Sequence, residues 1–169
     1  MSAINERIIL VPVDLGPLSN AALGRAVALA RPFGASLVLL HVMKASTPQM
    51  VLPPGVPVAV RPEIPSSEDR RSRLRALGKR HQASGTPLRD RIEITTEPIS
   101  ASILRVAREE KADIIVMSTH GRTGLKRVVL GSVAEEVVRD ATVPVLLVPE
   151  GAVAEEQEHP AERPQELGV

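Results

Sequence analysis

Residues 114–132, IIVMSTHGRTGLKRVVLGS, decide how this chain folds. Ile114–Met117 is a short unbroken apolar run of the kind that makes a strand covered on both faces, although run length by itself also admits a buried helical segment. The residues that follow choose the strand. Ser118-Thr119-His120-Gly121 interrupts the run with small, polar, permissive residues, and Gly131-Ser132 then opens a second apolar-periodic segment at Val133, Val137 and Val138. The stretch is therefore expected to be a strand, a glycine-bearing loop and a helix start. Such a loop suits phosphate binding through main-chain N–H groups, because glycine lets the backbone approach an anion and a helix N-terminus presents donors without intrahelical partners. Ser132-Val133-Ala134-Glu135 also has the pattern of a capping box, with the serine accepting from the third helical N–H and Glu135 reaching back. Both roles for Ser132 stay open at this level.

Outward from this stretch, the same strand-then-helix alternation recurs. Arg7–Val13, RIILVPV, is a continuous aliphatic run ending at Asp14 and the turn residues Gly16-Pro17, and it reads as the first strand. Ser19 is placed to cap a helix whose apolar repeats are Ala22, Ala26, Leu29, Ala30 and Phe33, with Gly34 as its stop. Ser36–Val42 is a second buried strand. Residues 44–67 are rich in proline and too broken for an interior strand or a helix, so they are expected as a long excursion. Ser66-Ser67-Glu68-Asp69 starts a helix carrying Arg70, Arg71, Arg73, Arg75, Lys79 and Arg80, most simply a solvated outer face, and Gly85 ends it. Arg91–Thr96 alternates polar with apolar residues as an edge strand does. Ser100 or its neighbour should cap a third helix leading to Asp113, where the fourth strand begins. After the glycine loop come a fourth helix, Val133 to about Asp140, and a fifth strand, Thr142–Val148.

Alternating strands and helices imply parallel pairing through right-handed crossovers, hence an α/β fold with one doubly wound five-stranded sheet and helices on both faces. One domain over residues 1–149 and an acidic tail over 150–169 are expected. Asp14 stands at the carboxyl end of strand one, where open sheets place ligand contacts; its carboxylate suits a ribose hydroxyl or a metal, or simply an Asx turn.

Composition removes several functions. No cysteine is present, which excludes disulfides, thiolate catalysis and cysteine-ligated metals, and His41, His81, His120 and His159 lack zinc-type spacing. One Phe, no Trp and no Tyr make base stacking on aromatic side chains, and with it single-strand nucleic-acid binding, a poor fit. No apolar run reaches the roughly 20 residues of a membrane span, and MSAINERII lacks the features of a secretory signal, so a soluble cytoplasmic protein is expected. Residues 150–169 hold six Glu and one Arg; against the formal net charge of +1, residues 1–149 therefore carry +6 by subtraction. A solubilising extension is the simplest reading of that tail.

Thr119-His120-Gly121, nine residues, Gly131-Ser132, the apolar helix after it and Val143-Pro144-Val145-Leu146-Leu147-Val148-Pro149 together resemble the universal stress protein family, over roughly residues 4–149. The nucleotide-binding branch of that family has Gly, two residues, Gly, nine residues, Gly and then Ser or Thr. Here Ser118 stands in place of the first glycine, and Gly16 replaces a serine usual two residues after the Asp. The resemblance implies strand order 3-2-1-4-5, which brings strands one and four together at the sheet's switch point. It implies a site for ATP, or for ADP or AMP, with or without Mg²⁺. Pro12, Asp14 and Val42 would hold adenine and ribose. Ser118, Thr119, His120, Gly121, Arg122, Thr123 and Gly124, with Gly131, Ser132 and Val133, would wrap the phosphates. Arg122 is equally readable as an exposed loop cation, and His120 as a group that orients Asp14 or caps the loop. The family also pairs the fifth strand, here Val143–Val148, in an antiparallel homodimer. No Walker sequence is present, so at most slow ATP hydrolysis is expected. The alternative is a nucleotide-free homodimeric interaction module of the same fold.

Overall fold

A computed structural model describes residues 7–16, 18–45, 67–82, 85–119 and 130–149. The proline-rich excursion, apart from its first and last residues, and the acidic tail lie outside them. Five strands form one parallel sheet: β1 (Ile8–Pro12), β2 (Ser36–Lys44), β3 (Leu88–Thr95), β4 (Ile114–Ser118) and β5 (Val145–Val148), in the order β3-β2-β1-β4-β5. Four helices join them: α1 (Ser19–Ala30), α2 (Ser67–Gln82), α3 (Ile99–Glu109) and α4 (Ser132–Asp140). Strand periodicity splits the core in two. Ile9, Val11, Leu37, Leu39 and Val116 face α1 and Leu74 of α2, while Leu10, Val38, Leu40, Ile115 and Met117 face Ile103, Val106 and Ala107 of α3 and Ala134 and Val137 of α4. The central strands are apolar on both faces because both faces are covered.

Several local expectations are corrected. Ser19, Ser100 and Ser132 each stand one or two positions inside a helix whose N-cap is Leu18, Pro98 or Gly131, and none of those termini has a side-chain cap. Their hydroxyls are not spent on local capping. Ser19 Oγ donates to Asp14, and Ser100 Oγ donates to Glu136 of α4. The Ser132–Glu135 capping box is absent, since Gly131 occupies the cap and its carbonyl accepts from Glu135 N at 2.9 Å. Phe33 does not join the core; it sits 55% exposed in a short 3₁₀ turn, with the Arg7 guanidinium 5.1 Å from its ring centroid. Gly34 takes the left-handed conformation that ends this turn, φ 59°.

Two strands outrun their sequence patterns. β3 begins at Leu88, three residues before Arg91, because β2 pairs with it along its full length from Leu37↔Leu88 to Lys44↔Thr95. Its charged residues are tied down beside α3: Arg89 and Arg91 pair with Glu110, and Arg91 and Arg105 both pair with Glu93 and Glu109. A charged strand at the sheet edge resists pairing with a second chain. β2 runs on past Val42 to Lys44, and this extension shapes the site.

Candidate functional site

β1 stops at Pro12, opposite Leu40, whereas β2 continues for four more residues. Leu37 N and Ala45 N donate toward β3, to Pro87 O and Thr95 O, while Leu40 O accepts from Val13 N on the β1 side. With a period of two, the main-chain groups of Val42 point the same way as those of Leu40, but one pleat beyond the last β1 partner. Val42, half-buried at the cavity, therefore offers an N–H and a C=O over the end of β1 instead of to a strand.

β1 itself leads into a turn built by Asp14. Its Oδ1 accepts from Gly16 N and from Ser19 Oγ, each at 2.8 Å, an Asx turn that also fixes the start of α1. Oδ2 has no partner among the described residues. Leu15 pays for the sharpness of this turn with φ 61°, a left-handed conformation that disfavours side chains, while packing partly against the core beside α1. The Asx turn and a ligand contact are thus compatible on one carboxylate, through different oxygens.

At β4 the chain leaves the sheet through Thr119. Thr119 N donates to Val148 O at 3.1 Å, and Thr119 O accepts from Gly131 N at 2.9 Å, so the two ends of the intervening loop are fastened together. Gly131 then caps α4 with extended backbone and no side-chain hydrogen bond. The N–H groups of Ser132, Val133 and Ala134 precede the first intrahelical bond and are left at the positive end of the helix dipole. Ser118 has no positive φ, so its backbone is unstrained where the family pattern has glycine.

These pieces surround one cavity of about 410 Å³ at the carboxyl ends of β2, β1 and β4. Of the residues proposed from sequence, Pro12, Asp14, Val42, Ser118, Thr119, Gly131, Ser132 and Val133 line it; His120, Gly121, Arg122, Thr123 and Gly124 lie outside the described residues. Sequence reasoning missed the apolar wall of Leu40, Met117, Ile99 and Ile103, and the cations Lys44 and Arg70. Ile99 and Arg70 lie in the first turns of α3 and α2, and in a parallel sheet helix N-termini stand at the same end as strand carboxyl ends; that rule was the available signal. His41 also borders the cavity. It is 3% exposed and its Nδ1–H donates to Val13 O at 2.8 Å, tying β2 to the end of β1, and its burial pulls the imidazole pKa below the usual value. Among the described residues no group of three His, Cys, Asp or Glu could hold a metal ion, and no helix is long and apolar enough to cross a membrane.

Residues 6–149 match the model of the universal stress protein family. The chain belongs to that family. Among its relatives is a universal stress protein of Methanocaldococcus jannaschii, 33% identical over 144 residues, which cover 83% of this chain and 80% of the relative. Two solved structures share the fold of this universal stress protein. One, a universal stress protein in complex with cAMP, aligns with TM-score 0.63 and 22% identity over 85% of this chain and 97% of its own. The other, from Archaeoglobus fulgidus and in complex with dAMP, aligns with TM-score 0.63 and 17% identity over 86% and 99%. At these identities the likeness concerns architecture.

Proposed function

We propose that this universal stress protein binds ATP, or ADP or AMP, in the cavity between β1 and β4, and that occupancy regulates its partners in a stress response. The observation that carries the proposal is the meeting at one cavity of three features from distant parts of the chain: the free main-chain edge at Val42, the unshared Oδ2 of Asp14, and the N-terminus of α4, which has no side-chain cap. Each matches one part of a nucleotide. A purine offers adjacent donor and acceptor groups that a strand edge can satisfy, ribose hydroxyls donate to a carboxylate, and phosphates accept from helix N–H groups. Leu40, Met117, Ile99 and Ile103 supply the apolar wall a base requires. The bound cAMP and dAMP of the two structural neighbours support an adenine nucleotide as the ligand class.

Asp14 is the sole carboxylate among the described cavity residues, and its Oδ1 is already engaged twice. With Asp14 the single carboxylate among the described lining residues, a Mg²⁺ ion would arrive with the phosphates and not be held by a protein cage of described residues. Assembly as a homodimer through β5 belongs to the same proposal: Leu146 is 39% exposed on this edge strand. The test is isothermal titration of ATP, ADP and AMP into protein freed of co-purified ligand. Saturable one-site binding is expected, and at a hundred times the dissociation constant the ligand should stabilise the fold by about 2.7 kcal/mol. Absence of heat together with an unmoved melting temperature would leave a nucleotide-free assembly module.

A further inference from the structure

Arg70 is the cation of α2 that borders the cavity; Arg71 beside it is also half-buried but does not line it. Arg73 donates to Leu15 O at 3.0 Å, Arg75 pairs with Asp90 at 3.8 Å, and Lys79 and Arg80 are exposed. Arg70 is half-buried, makes no hydrogen bond or ion pair among the described residues, and borders the cavity. Within that cavity it belongs to the end formed by α2 and by Val42, Met43 and Lys44 of β2, away from Gly131–Val133 at the start of α4, because β1 separates β2 from β4 in the sheet.

This placement bears on how a base is held. Purine and pyrimidine rings need a flat or apolar surface against each face, and no Phe, Tyr or Trp lines the cavity; the chain's single Phe, Phe33, is beside Arg7, and the His41 ring at the cavity border is 3% exposed and tied to Val13 O. The apolar wall is aliphatic. A guanidinium is planar, weakly hydrated and able to stack on a π system, whereas an ammonium is a compact point charge with no face to offer. We infer that Arg70 is the base-stacking residue of this site, laying its guanidinium on the adenine ring while the phosphates occupy the α4 end. The inference rests on the nucleotide reading above and adds to it a residue outside the glycine motif, on a helix whose other cations do not line the cavity.

The test uses the full-length protein with Arg70→Lys and Arg70→Met, titrated with ATP, ADP, AMP and UTP. Because Arg70 has no partner among the described residues, both variants should keep the wild-type melting temperature without ligand, and this is checked first. Loss of stacking should weaken ATP, ADP and AMP by one common factor, about three- to thirtyfold, in the lysine variant as well as in the methionine variant. UTP, with the smaller ring, should lose less, so the preference for ATP over UTP shrinks. Three results overturn the assignment: a lysine variant that binds as wild type does, which makes charge sufficient; a loss that grows from AMP to ATP, which makes Arg70 a phosphate contact; or no loss in Arg70→Met. Failure of the wild-type protein to bind any of the four would instead remove the nucleotide reading itself.

Discussion

Asp14 offers the sharpest test of how one side chain divides its work. Oδ1 holds the β1–α1 turn by accepting from Gly16 N and from the Ser19 hydroxyl, which is 2% exposed, and Oδ2 is left for a ligand. Asp14→Asn keeps an oxygen for the turn and replaces the free oxygen by an amide donor. Stability should therefore fall by only about 1 kcal/mol, the loss of charge assistance on two short bonds. Ligand affinity should suffer more, because a charge-assisted acceptor worth about 1.5–3 kcal/mol has become a donor facing a hydroxyl. That range corresponds to a weakening of about ten- to 150-fold. Asp14→Ala removes both oxygens, leaves the buried hydroxyl and the turn N–H without acceptors, and should cost about 2–4 kcal/mol of folding stability besides. Urea unfolding and calorimetry of ATP binding measure the two effects separately. Wild-type affinity in Asp14→Asn would refute the role of Oδ2, and equal destabilisation by Asn and Ala would refute the division between the two oxygens.

Other expectations follow from the same geometry. Glu110, held chiefly by Arg89, has its pKa lowered from 4.5 to about 2, and its side chain is 13% exposed. Its contribution is thus complete above about pH 4.5 and disappears as pH falls toward 2. With Arg89 54% exposed, that contribution is about 1 kcal/mol, so Glu110→Gln should lose this much at pH 7 and flatten the acid limb of a stability-against-pH curve; an unchanged limb would contradict it. Ser118→Gly relieves no strain, since Ser118 has no positive φ; affinity for ATP should change less than about threefold while stability drops by about 0.5–1 kcal/mol, and a tenfold gain in affinity would show that the serine obstructs the site. Leu146→Glu at the exposed β5 edge should convert a dimer into a monomer in analytical ultracentrifugation; a wild-type protein that is monomeric at all concentrations would rule out that interface.

The sheet and its order were legible because β1, β2 and β4 are unbroken aliphatic runs buried on both faces, and because the glycine-bearing loop and the final strand carry a family resemblance. Helix starts were less so. Ser19 and Ser100 look like local caps in sequence, yet the Ser19 hydroxyl bonds five residues back to Asp14 in the β1–α1 turn, and the Ser100 hydroxyl bonds to Glu136 of α4, a partner defined only by tertiary packing. The end of β2 was hidden for a different reason: Lys44 borders the proline-rich excursion, and its place in a strand is supplied by pairing with Thr95 of β3. That overshoot leaves the main-chain edge at Val42 open. Arg70 was hidden among six cations on one helix, and what separates it from its neighbours is that it borders the cavity, a matter of tertiary placement.

The most direct test is an amide nitrogen–proton NMR titration of the ligand-free protein with ATP. Large, saturating shifts are expected at Val42 on one side of the cavity and at Ser132, Val133 and Ala134 on the other, all with one dissociation constant. Binding that leaves either group of amides unmoved, or no shifts at any of them at millimolar ATP, would contradict that expectation.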